Sequence, residues 1–152
     1  MITKRRMATM AIAFGLMLTG CSSKTEKINE YSTEMSEYTS DFAETMDDFH
    51  KLNVESSVDP SIMSTNEWIN DAAEALDDMA YHIEDIRSVE PPKGLEKSHG
   101  YVLEAMDSYE YAVNNYPESI NDADVRKSCM DALKEGDRNM IKAGEELQKV
   151  TD

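Results

Sequence analysis

From Ile28 to Val150 the apolar residues recur in alternating steps of three and four, and this period constrains the fold more than any other feature of the chain. The first run is Ile28, Tyr31, Met35, Tyr38, Phe42, Phe49 and Leu52, interrupted at Thr45. The second is Ile69, Ala72, Leu76, Met79, Ile83 and Ile86, and the third is Leu95, His99, Val102, Met106, Tyr109, Val113 and Tyr116. The fourth passes through Val125, Cys129, Leu133, Gly136, Met140, Ala143 or Gly144, Leu147 and Val150, where consecutive steps of four imply a stutter in the packing. Each run describes a helix that buries one narrow seam and leaves the rest of its circumference to solvent. No stretch alternates apolar and polar residues as a half-buried strand does.

Three breaks separate the runs. Asp59-Pro60 forms a turn before Ser64 or Thr65, either of which can cap the second helix. Pro91 and Pro92 end the second helix and fit the start of the third. Pro117 breaks the third, with Asn121 or Asp122 as the next cap. Short connections place consecutive helices side by side in opposite directions. The expected fold is therefore all-α, an up-down-up-down antiparallel four-helix bundle over residues 28–152. Gly100 weakens its helix relative to Ala, which points to close packing at that position.

The residues ahead of the bundle set the address. Lys4, Arg5 and Arg6 precede an uncharged apolar run, MATMAIAFGLML, and small residues follow it. This is the layout of a secretory signal peptide, and the run is too short for a comfortable transmembrane helix. The residues that close this run, LTGC (18–21), resemble the lipobox of bacterial lipoproteins. That resemblance implies a diacylglyceryl thioether on Cys21, cleavage between Gly20 and Cys21 by signal peptidase II, and a mature chain that begins at the acylated cysteine. Residues 1–20 are then a cleaved signal peptide, 21–27 a lipidated cysteine with a short tether, and 28–152 the helical domain. The expected location is the cell membrane, lipid-anchored on its extracytoplasmic face, with the bilayer as one partner through Cys21.

Cleavage would leave 132 residues with 12 bases and 31 acids, enough chain for one domain with a modest core. A surface so negative repels nucleic acid and anionic lipid alike, so nucleic-acid binding is not expected. Of the two cysteines, only Cys129 remains once Cys21 is acylated, so no intrachain disulfide is possible and packing must supply the stability. Cys129 falls on a seam without a neighbouring base, the setting of an inert buried thiol.

No glycine-rich phosphate loop, nucleophile elbow, CxxC pair or HExxH motif occurs, and neither an enzyme activity nor a cofactor is expected. The most suggestive ligand set is His82, His99, Asp85 and Glu96. Reflected about Pro91 in a tight antiparallel turn, His82 falls level with His99 and Asp85 with Glu96, a set suited to zinc or another borderline divalent ion. The competing reading makes His99 a hydrogen-bonded residue at the core edge and His82 a solvated one. Glu96 and His99 stand three residues apart, a spacing by which metal-binding bundles line their cores, and Asp47 and His50 repeat it at the other end of the bundle.

A second candidate surface is acidic. Glu30, Glu34, Glu37, Asp41, Glu44 and Asp48 follow one edge of the first seam, either as a docking face for a basic partner or as a solvated face. Tyr31, Tyr38, Tyr109 and Tyr116 lie on seams, Tyr81 and Tyr111 lie off them, and Trp68 stands at the core end of the second helix.

The segment PPKGLEKSHGYVLEAMDSYEYAV and the lipobox together resemble small, uncharacterised helical-bundle lipoproteins of Gram-positive bacteria and their prophages. No activity comes with that resemblance. By size and address alone it points to an exclusion-like role for an element-borne lipoprotein. The functional expectation is a surface-exposed, non-enzymatic module that binds an envelope protein or ligand. The alternative is a metal- or small-ligand-binding lipoprotein centred on His82 and His99.

Overall fold

The computed structural model describes residues 23–151, and every described element is helical: α1 (Ser23–Val58), a short 3₁₀ turn (Pro60–Ser64), α2 (Asn66–Ser88), α3 (Glu96–Ser119) and α4 (Ala123–Thr151). The signal peptide, the cut site and Cys21 lie outside the described residues. The four long helices form a helical bundle around one core. Among the described residues no helix is long and apolar enough to cross a membrane.

Most residues of the seams read from the period lie on buried faces, but Ile69 of the second run and Val150 of the fourth are exposed. Met35, Met79, Ile83, Ile86, Leu95, Val102 and Met106 are almost wholly excluded from solvent. Burying a side chain of this size stabilises the fold by roughly 1.5–3 kcal/mol. At the interruption in the first seam, Thr45 returns its hydroxyl to the Asp41 carbonyl, and the neighbouring Met46 packs against the core.

Ring pairs fix how the helices lie. Tyr31 meets His99, Phe42 meets Tyr109 and Phe49 meets Tyr116, so these contacts ascend together along α1 and α3. Between α3 and α4 the order reverses. The Ser98 hydroxyl donates to the Ala143 carbonyl, Tyr109 donates to Asp137, and Arg126 donates to the Ser119 carbonyl.

The caps follow local chemistry. Asp59 accepts from the Ser61 amide at 3.0 Å and from its hydroxyl at 2.6 Å, which starts the 3₁₀ turn. Thr65, one of the two candidates, caps α2 by accepting from the Trp68 amide. Asp122 accepts from the amides of Asp124 and Val125 and opens α4.

Several expectations are corrected. Residues 23–27, read as tether, are helical and belong to α1. Trp68 is buried and takes the seam position expected of Ile69, which is 48 % exposed. The indole reaches back to donate to the Leu52 carbonyl, closing the turn between α1 and α2 over the larger ring. Pro117 lies inside α3, two residues before its end at Ser119; it has no N–H to return to the Val113 carbonyl, and the helix stops within the next turn.

Pro91 and Pro92 sit in the connection and not at the start of α3. That connection turns at Gly94, whose φ of 104° is a conformation that glycine adopts without strain. Close packing occurs at Gly136 and not at Gly100. A β-carbon at 100 would meet nothing within 4 Å, whereas one at 136 would strike the Tyr109 ring.

Candidate functional site

At the end of the bundle where α1 meets the 3₁₀ turn, a cavity of about 640 Å³ opens among all four helices. Its floor and walls are apolar: Met46 and Phe49 from α1, Leu76 and Met79 from α2, Ala112 and Val113 from α3, and Cys129 and Leu133 from α4. The volume falls in the range of roughly 300–1,000 Å³ typical of small-molecule sites. Val54 and Met130, about half exposed, also line it.

Among the described residues seven polar ones join the lining, and hydrogen bonds hold several of them in place. The Tyr116 hydroxyl donates to Asn53 Oδ1 at 2.6 Å, while Asn53 Nδ2 donates to the Phe49 carbonyl within α1. Burial drives the Tyr116 phenol upward, and the Arg126 charge opposes this. Arg126 itself donates from Nε to the Ser119 carbonyl and from Nη2 to the Ile120 carbonyl, which seats its guanidinium on the last turn of α3. Among the described residues no carboxylate pairs with it. Burial raises the Cys129 thiol above its ordinary value, which makes it a poor nucleophile at neutral pH. The space is mainly apolar, and its described lining offers no activated nucleophile beside a base.

The structure does not bring His82, His99, Asp85 and Glu96 together as a ligand set, and among the described residues no group of three or more His, Cys, Asp or Glu is placed to hold a metal ion. The reason is an offset between α2 and α3. The Val89–Leu95 connection begins extended instead of reversing tightly at Pro91, and Arg87 consequently bonds Asp107 and Glu110, twenty and twenty-three residues further on.

Each residue of that set has another neighbour. His99 is buried, with Nδ1 sharing a 3.0 Å hydrogen bond with the Tyr31 hydroxyl, and burial lowers its pKa. Burial likewise holds the Tyr31 phenol far above its usual range. His82 stands edge-on to Tyr81, with Nδ1 buried and unpartnered. Asp85 lies close enough to Tyr38 to help Glu34 raise that phenol, although desolvation is the larger cause. Glu96 accepts from the Gly94 amide, and backbone hydrogen bonds hold its carboxyl below the usual range.

The acidic row is where the period placed it. Glu30, Glu34, Glu37, Asp41, Glu44 and Asp48 are all exposed. Asp48 and Asp47 share Lys51 at 2.7 and 3.2 Å, so the row is partly neutralised at its far end. His50 is exposed and contributes to the cavity lining.

Sequence reasoning singled out Cys129 and Tyr116 as seam residues but missed the enclosure around them. Met63, Asn53 and Arg126 belong to no seam, and nothing in their local spacing announces a shared space. Comparison with protein-family models, with curated proteins and with solved structures gives no match to this chain.

Proposed function

We propose that this chain is a lipid-anchored module on the extracytoplasmic face of a bacterial membrane, acting by binding and not by catalysis. It resembles a small lipoprotein in its LTGC lipobox, with Cys21 as the acylated residue. In this reading the four helices run up-down-up-down, and the cavity at the end remote from the lipid receives the ligand.

The observation that carries the reading is where the cavity lies along α1. Helical rise of ~1.5 Å per residue places Phe49 and Asn53 some 40 Å along the helix from its start near the lipobox. A body hung from acyl chains at one end would hold an apolar binding space clear of the bilayer at the other. The exposed acidic row on α1 favours that stance, since like charge repels an anionic headgroup layer within ~8 Å at physiological salt.

Radioactive palmitate fed to cells expressing the chain tests the anchor. Incorporation that disappears in Cys21→Ala, together with accumulation of an uncleaved precursor, is the expected result. An unlabelled wild-type chain, or Cys21→Ala processed and retained like the wild type, refutes it. Protease added to intact spheroplasts tests the side of the membrane, and protection from digestion would refute an extracytoplasmic body.

A further inference from the structure

The charge around the cavity departs from that of the rest of the molecule. The sequence carries 31 acids among 152 residues, and every described one is exposed or half-exposed, so any acid of the lining would belong to the exposed rim of the cavity. Among the described residues that rim includes no acid, while it does include Arg126 and His50. An apolar chamber with a cation in its wall and no carboxylate is complementary to a ligand with a greasy body and a negative head. The guanidinium is held in place by its bonds to the Ser119 and Ile120 carbonyls, and its remaining N–H groups are left for a ligand.

We propose that the cavity binds a single-chain amphiphile with an anionic head, its acyl chain lying among Met46, Phe49 and Leu133 and its head group at Arg126. This identifies the ligand class of the site described above and rests on the reading of that site as a binding space. The volume of about 640 Å³ suits one flexible chain. Methionines at positions 46, 63, 79 and 130 of the lining adapt to a chain without fixed shape.

The test uses the full chain in native membranes and a dodecanoate that bears a photoactivatable diazirine near its methyl end. After illumination, label is expected on peptides containing Met46 and Phe49 and on those containing Cys129 and Leu133. Probe dissolved in the bilayer would instead mark the end near the lipid. Dodecanoate should displace the probe about tenfold better than dodecyltrimethylammonium, the worth of one charge-assisted hydrogen bond. Dodecyl phosphate competing equally assigns the site to anionic heads in general, and its failure to compete assigns it to carboxylates.

Arg126→Gln should lower capture about tenfold with helical circular dichroism retained. Should that variant unfold, head-group competition on the unaltered chain decides. Label spread elsewhere, or equal competition by the cationic amphiphile, overturns the proposal. A palmitate-labelled chain that captures no probe refutes the amphiphile alone, whereas capture at the cavity by a chain without palmitate refutes the anchor alone.

Discussion

Gly136 of α4 lies so close beneath Tyr109 of α3 that a β-carbon there would stand 2.5 Å from the ring carbon Cε1. The ring cannot retreat easily, because its hydroxyl donates to Asp137 at 2.8 Å and the ring lies tilted against Phe42, with centroids 5.0 Å apart. Gly136→Ala should therefore destabilise the fold by about 1–3 kcal/mol through overpacking. Alanine's better helix propensity offsets about 1 kcal/mol of that cost. Urea unfolding followed by circular dichroism checks the net sign, and a more stable variant would show that the ring has room to move.

The exchange of roles between Trp68 and Ile69 is separately testable. Trp68→Ala should cost about 3–5 kcal/mol, since it empties a core position and removes the indole donor from the Leu52 carbonyl. Ile69→Ser, at an exposed site, should stay within about 0.5 kcal/mol of wild type. Thermal denaturation of the two variants side by side distinguishes this arrangement from one in which Ile69 is the core residue.

His99 makes stability depend on pH in a window of its own. Burial lowers its pKa from the ordinary 6.5, so the unfolded chain takes up the proton first as pH falls. Its contribution is complete above pH 6.5 and is lost progressively below that value, down to the folded pKa, with a slope of at most ~1.4 kcal/mol per pH unit. Carboxyls such as Glu96, Asp131 and Glu146, held below their usual values, act only at more acidic pH. The urea midpoint of the wild type should fall between pH 6.5 and 5, and His99→Gln should flatten that interval. An unchanged profile in His99→Gln would assign the decline to other groups.

Filling the cavity should strengthen the fold while closing the site. Ala112 is buried in α3 and faces the open volume, so Ala112→Leu can extend into it. The expected gain is about 0.5–2 kcal/mol, read as a higher melting temperature. Loss of probe capture by the same variant would tie that volume to binding. A lower melting temperature would mean that the space near Ala112 is too narrow for the added carbons.

The helical period of the chain is a local property, and it was legible from the residues alone. It placed Met35, Met79, Val102, Met106 and Tyr109 on buried faces and Tyr81 and Tyr111 on the outside, as the burial of these residues shows. Cap chemistry was legible for the same reason, since Thr65 and Asp122 act on amides two or three residues away. The relative heights of the helices were not. They depend on how the Val89–Leu95 connection extends, and the pairing of Arg87 with Asp107 and Glu110 records the resulting offset. The cavity belongs to the same category. Asn53, Tyr116 and Arg126 come from three helices and become neighbours only when those helices pack. Periodicity determines which face of each helix avoids water, because that depends on residues three and four apart; what encloses a space depends on residues dozens apart, and only the tertiary structure brings those together.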